Sequence, residues 1–156
     1  MNGQALQTIR CPEEIQVLTF TVMGVKMGVD TEQVTEMMEV DGAESRGLAM
    51  RRFHENISFG EMPIKYHSPI AIMIKNEGEP FIVVIDNPDD ITSVNVRSIQ
   101  PMPPLIAMNG ATRLFWGAIP GNEGIILLVD FFRFRERQNG LLKQMITQIH
   151  NEEVRE

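Results

Sequence analysis

The chain has 156 residues, of which 43% are apolar, 22% charged and 6% aromatic, and its formal net charge is −7 at neutral pH. That length suits one domain with a real core, since a chain of this size hides roughly 70% of the surface it exposes when unfolded. Patterned apolar runs exclude disorder as the main state, a single Cys11 excludes a disulfide scaffold, no apolar stretch is long enough for a membrane helix, and no basic stripe marks a nucleic-acid surface.

Residues 1–14 are polar and read as a flexible N-terminus. They carry one arginine and no apolar centre of a secretory signal, which with the lone cysteine points to the cytoplasm. From Gln16 to Val22, Leu18, Phe20 and Val22 alternate with Thr19 and Thr21, the period of a half-buried strand. Val25, Met27 and Val29 repeat the pattern across Met23-Gly24, which predicts a hairpin. Asp30 followed three residues later by Gln33 is a capping-box spacing, so a short helical turn is expected near 31–39. Val34, Met37 and Met38 then fall at i, i+3 and i+4, one face of that turn.

Residues 41–68 show no sustained period. A short strand around Ile57–Phe59 with loop elsewhere is the expectation. Ile70, Ile72 and Ile74 alternate again, Asn76-Glu77-Gly78-Glu79 is turn chemistry, and Phe81 to Ile85 is apolar on both faces. This predicts a hairpin whose second strand runs through the interior. Asp86 to Asp90 breaks it, and another strand from Ile91 to Val96 ends before the prolines at 101, 103 and 104. A last hairpin joins Thr112–Ile119 to Ile125–Phe132, with Ile125 to Val129 expected to be fully buried and Trp116 partly so. Leu141, Leu142, Met145, Ile146 and Ile149 share one helical stripe, an amphipathic C-terminal helix. Many short strands at regular spacing argue for a β-barrel class with a terminal helix, with a β-sandwich as the alternative. The organisation is one domain over 15–150 and a tail over 151–156.

Catalytic constellations are weak. His54, His67 and His150 have no metal-ligand spacing, and there is no nucleophile elbow, P-loop or dinucleotide fingerprint. Asp86, Asp89, Asp90 and Asp130 sit at strand ends, where turn and capping roles are the simpler reading. The eleven methionines fit gap-filling core, although Met37-Met38 would also suit an adaptable interface. No catalytic residue, cofactor or metal is assigned, and a binding module is the better class than an enzyme.

Several segments resemble the CheW-like domains of bacterial chemotaxis coupling proteins. Leu18 to Met37 is similar to the family's opening hairpin and its V-x-E-I element, here Val34-Thr35-Glu36-Met37. Val83 to Ile91 resembles V-V-D-x-V-x-D-V, Ser98 to Pro103 resembles x-I-x-P-x-P, and Trp116-Gly117-Ala118 with Ile125 to Asp130 resembles the closing hairpin. The departure lies in 41–68. Gly47 and Arg52 fit the Gly and Arg of the family's long G-V-x-N-L-R-G segment, but its Asn, second Gly, Pro and Asp are missing and the segment is shorter.

The resemblance implies a mainly β fold of two small five-stranded SH3-like barrels and no enzymatic activity. It implies two partners, the regulatory domain of a CheA-type histidine kinase and the cytoplasmic tip of a chemoreceptor, with no nucleic acid and no membrane insertion. The protein-binding residues it suggests are Val34 and Met37 as apolar contacts, Glu36 as a rim charge and Arg52 as a receptor-pairing cation. Ordinary core packing is the competing reading for Val34 and Met37, and solvated surface charge for Glu36 and Arg52. A divergent adapter in a non-chemotactic kinase pathway is the alternative function. A small ligand-binding or enzymatic β-barrel is the third, and it needs an internal polar cavity.

Overall fold

A computed structural model describes residues 13–56, 63–102, 112–122 and 124–133. The protein is mainly β, with ten strands among the described residues: β1 Glu14–Val22, β2 Val25–Asp30, β3 Val34–Met38, β4 Met50–Arg52, β5 Pro69–Ile74, β6 Phe81–Asp86, β7 Pro88–Asn95, β8 Gln100–Pro101, β9 Phe115–Gly121 and β10 Gly124–Val129. They form two sheets. The larger has the order β7-β1-β2-β10-β9-β8, and the smaller β3-β5-β6-β4. Ten strands therefore divide six and four, not five and five, and among the described residues neither sheet closes on itself.

The smaller sheet is built from one continuous stretch, β3 to β6, and the larger from the chain on either side of it. The backbone crosses between sheets twice, through the 3-10 turn Thr31–Gln33 and at Asn87. Asn87 makes its corner with a φ of 45° and donates from Nδ2 to the carbonyl of Thr21 at 3.4 Å. Asparagine suits this because it tolerates the left-handed region better than most residues. Just before it, the buried Asp86 carboxylate accepts from the backbone N–H of His67 and Ser68, at 3.0 and 2.7 Å to Oδ1. Those bonds satisfy the charge that would otherwise be costly to bury.

The hairpin of β1 and β2 forms as its alternation requires. Leu18, Phe20 and Val22 enter the main core with Met27 and Val29. Thr19 faces the other way, and its hydroxyl donates to the Asp90 carbonyl at 3.3 Å. Met23 and Gly24 both have positive φ, 53° and 77°, the type I′ geometry of a two-residue hairpin loop. The β5–β6 hairpin is also present, and every residue of β6 is buried. That strand is covered on both faces: Phe81, Val83 and Ile85 point to the main core, while Ile82 packs with Ala43 and Ala71 on the outer side.

The main core lies between the two sheets and takes residues from both. At its centre Phe20 of β1 meets Phe53 edge-on at 5.3 Å between ring centroids. Phe131, just after β10, stacks on Phe20 at 6.4 Å and meets Phe53 edge-on at 6.1 Å. All three rings are fully buried. A second cluster, Val17, Val94 and Leu128, sits on the far face of the larger sheet with half-buried Trp116 against it.

Several expectations need correction. Val34–Met38 is a strand, not a helical turn; only Thr31–Gln33 is helical, capped by the Asp30 carboxylate on the Glu32 N–H at 3.0 Å. The i, i+3 spacing misled because β3 carries a bulge between Val34 and Glu36. One extra residue shifts the parity of a strand, so i and i+3 come to share a face. Residues 41–56 hold a short helix α1 (Val40–Glu44), β4 and a 3-10 turn where loop was expected. The strand after Asp86 starts at Pro88, on an outer strand of its sheet where a missing N–H is tolerated. β10 is not fully buried: Ile125 is 62% exposed, and burial grows only toward Leu128 and Val129, beside Phe131. The strand expected at Ile57–Phe59 and the C-terminal helix lie outside the described residues.

β10 pairs with β2 in parallel, Leu127 opposite Met27 and Val129 opposite Val29. Between β1 and β10 the β2 backbone carries Gly28, where an added Cβ would meet the Val17 side chain of β1 at 2.5 Å and that of Leu128 of β10 at 3.4 Å. Gly28→Ala is expected to destabilise the fold by about 1–3 kcal/mol through overpacking. Denaturant titration should show that combining it with Val17→Ala costs less than the sum of the two single changes, because the second makes room for the first.

Candidate interaction surface on the smaller sheet

The smaller sheet exposes its two outer strands. Among the described residues β3 pairs with β5 alone, Glu36 opposite Met73 and Met37 opposite Ile72. The bulge turns Val34 and Met37 to the side of the sheet that faces the main core, and Glu36 and Met38 to the other. Val34 is half-buried against that core, whereas Met37 is 41% exposed at its margin. Thr35, at the bulge, donates its hydroxyl to the Met73 carbonyl at 3.2 Å, tying the irregular backbone to its neighbour. Of the three residues the sequence put on one face, Val34 and Met37 share it, through a different element, and Met38 is turned to the other side.

Glu36 does not stand alone. Arg46, two residues beyond α1, donates from both Nη atoms to the two carboxylate oxygens at 2.8 Å each. This bidentate fork is the geometry that guanidinium and carboxylate favour. It forms because Gly47, at a φ of 68°, ends the turn after α1 and folds Arg46 back over β3. Hydrogen bonds from Arg46 hold the Glu36 carboxyl below the usual glutamate range, and its Coulomb attraction adds to them against an opposing loss of hydration. Arg46 was not singled out from sequence. A cation ten residues from its partner gives no periodic signal, and only the helical turn between them brings the two together.

Beside Glu36 an open groove of about 1000 Å³ runs past Met73, Ile74, Lys75 and Pro80 to Phe132. It combines backbone-rich turn residues from the β5–β6 hairpin with an exposed aromatic ring from the segment after β10.

Arg52 is elsewhere. It lies at the end of β4, which pairs in parallel with β6, Arg52 opposite Val84. β3 and β4 are opposite edges of a four-stranded sheet, so three strand spacings, roughly 14 Å, separate them. The structure thus places Val34, Glu36 and Met37 on one edge strand, with Glu36 on the opposite face from the other two, and leaves Arg52 at the far edge of the sheet. There its guanidinium sits 5.5 Å from the centre of the Tyr66 ring. The Tyr66 hydroxyl lies 3.0 Å from His54 Nδ1 and accepts from the His54 N–H at 3.2 Å. Burial raises the Tyr66 hydroxyl above the usual phenol range, opposed by that backbone bond and by Arg52. Glu44, Arg51, Glu55 and Lys65 surround a smaller cleft of about 370 Å³ at this edge. Its lining mixes acidic and basic side chains. Among the described residues no group of three or more His, Cys, Asp or Glu side chains is placed to hold a metal.

No family model and no curated protein matches the chain. The likeness is structural: the crystal structure of the scaffolding protein TtCheW from Thermoanaerobacter tengcongensis superposes with a TM-score of 0.61 at 16% identity, covering 80% of this chain and 89% of that one. The fold is CheW-like. The resemblance read from the strand segments is thereby supported at the level of architecture.

The pairing with Arg46 has a pH consequence. A carboxylate whose pKa is depressed on folding contributes stability above its unfolded value, and that contribution is lost as pH falls through the folded value. NMR titration of the Glu36 side-chain carboxyl is expected to give a pKa below the ordinary glutamate range, and Arg46→Ala should return it to that range.

Proposed function

We propose that the protein is a non-enzymatic adapter that couples chemoreceptors to a CheA-type histidine kinase in chemotaxis signalling. The observation that carries this reading is the CheW-like fold, shared with a protein described as a scaffold, over 80% of the chain. The separation of the two candidate surfaces supports it. An adapter must hold two partners in a fixed geometry, and β3 and β4 are opposite edges of one hydrogen-bonded sheet. A close-packed body transmits displacement from one edge to the other instead of absorbing it.

In this reading the β3 edge takes the kinase regulatory domain. Val34 and Met37 supply apolar contact, and Glu36, already oriented by Arg46, supplies a charge at the rim. Pre-orientation matters because a fixed side chain loses less freedom on binding. The β4 edge, with Arg52 held over Tyr66, takes the receptor tip. No helix among the described residues is long and apolar enough to cross a membrane, and the adapter acts from the cytoplasm on the membrane-distal end of the receptor.

A second reading is favoured by residues 41–56. The family's long G-V-x-N-L-R-G segment is replaced here by α1, a glycine turn and the three-residue β4. A changed receptor-facing edge fits an adapter of the same fold in a non-chemotactic kinase pathway. Deleting the gene and scoring swarming against other phenotypes separates the two readings.

The binding test is direct. The full chain should bind its cognate kinase regulatory domain at micromolar concentration in calorimetry, and Glu36→Lys should weaken this about tenfold or more. The charge swap Glu36→Arg with Arg46→Glu restores the ion pair and should leave binding weak. No association at tens of micromolar, or full binding by the swapped chain, would overturn the role given to this edge.

A further inference from the structure

We propose that Gln33 is the positioning residue that sets the angle between the partner-facing smaller sheet and the larger sheet. Gln33 ends the 3-10 turn at the first crossover, next to Val34. Its side-chain amide donates from Nε2 to Asp130 Oδ1 at 3.0 Å and accepts at Oε1 from the Phe131 N–H at 2.9 Å. Its own carbonyl accepts from the Lys75 N–H at 2.8 Å. One residue is therefore bonded to the smaller sheet through its backbone and to the exit of β10 through its side chain.

The orientation of that amide is forced. A carboxylate has only acceptors at neutral pH and a backbone N–H is only a donor, so Nε2 must face Asp130 and Oε1 must face Phe131. Glutamine is the residue that offers both at this length. The sequence spacing Asp30-x-x-Gln33 suggested a capping box, in which Gln33 would turn back to its own helix. Only the Asp30 half of that motif forms, because the Gln33 side chain is engaged across the sheets instead.

The need for such a residue follows from topology. The smaller sheet is spliced into the larger through two crossovers, at 31–33 and at Asn87. A body joined at two points can rotate about the line between them. The phenylalanine cluster resists separation, but apolar packing is weakly directional. Hydrogen bonds are directional, and the two from Gln33 add a third anchor on the β10 exit. Neighbouring groups hold that anchor in place: Asp130 Oδ1 also accepts from the Phe132 N–H at 3.0 Å, and Arg133 lies 3.4 Å from Asp130 Oδ2. Phe132 in turn forms one wall of the groove beside Glu36, so the same bonds set the groove's width.

The inference rests on the adapter reading only for its functional consequence. The test uses full-length protein with Cys11→Ser and spin labels at Glu77→Cys and Asn122→Cys, one on a hairpin of each sheet. Electron–electron resonance should give one narrow distance for the parent chain. Gln33→Glu sets a carboxylate against Asp130, and it should shift or broaden the distance. Adding Asp130→Asn removes the repulsion and offers the new carboxylate an amide donor, but gives up the acceptor for the Phe132 N–H, so it should restore the distance in part. Gln33→Met, which removes both bonds without adding charge, should broaden the distance and serves as the second variant if Gln33→Glu does not fold. Kinase-domain affinity should fall about tenfold with Gln33→Glu and recover in part in the double variant. An unchanged distance in Gln33→Met, or a double variant no closer to the parent than Gln33→Glu, overturns the proposal. Distances that follow the scheme in a chain that binds no kinase domain leave Gln33's role intact and remove the adapter reading instead.

Discussion

Burial of three phenylalanine rings between the two sheets is the constraint on which the rest of the structure depends. Phe20 comes from the second strand of the larger sheet, Phe53 from the turn after β4, and Phe131 from the end of β10. Each ring belongs to a different part of the chain, and none can be buried unless the other two arrive. Edge-on and offset contacts at these distances suit the ring quadrupoles and add to the area they remove from water. The cluster therefore links strand pairing in one sheet to the path of the chain through the other. The crossover bonds of Gln33 and the corner at Asn87 refine an arrangement whose distance the rings have already set.

The distribution of burial explains where binding can occur. β6 is covered on both faces and flanked on both edges, so it has nothing to offer a partner. β3 and β4 are the reverse, short strands with mostly exposed side chains and, among the described residues, one unpaired edge each. Free edges invite unwanted strand pairing. Here the bulge at Thr35 interrupts β3, the Glu36–Arg46 pair places charge on it, and β4 is only three residues long. The same features that discourage nonspecific pairing leave side chains, rather than backbone, as the means of recognition.

The fold was legible in the sequence where residues alternate and turns have special chemistry. Leu18-Thr19-Phe20-Thr21-Val22 could be read as a strand because one face is apolar throughout. The β5–β6 hairpin could be read because Asn76 to Glu79 punctuates two β-branched runs. Legibility failed where a local irregularity changes the period. The bulge at Thr35 made a strand imitate a helical spacing, and α1 is too short to complete a periodic pattern. The larger sheet's strand β10 is apolar along its whole length, yet only its end meets the core, and composition cannot report where a partner sheet stops. At the candidate surface, the shared face of Val34 and Met37 was legible, but Met38, read onto the same face, lies on the other. The partners of Glu36 and Gln33 were not, since both depend on residues brought near by tertiary folding.

The parallel pairing of β10 with β2 joins residues one hundred positions apart. Such a seam carries a consequence for synthesis. Ribosomes release the chain from its N-terminus, so β2 emerges long before the strand that covers its edge. Until residue 129 leaves the exit tunnel, the β1–β2 hairpin of a nascent chain presents the β2 edge along Met27 and Val29 uncovered, and the ring of Phe131 is still missing from the centre of the molecule. The larger sheet can only close after translation of this region. The order of synthesis thus leaves this edge of β2 open to solvent for the whole interval between the two strands.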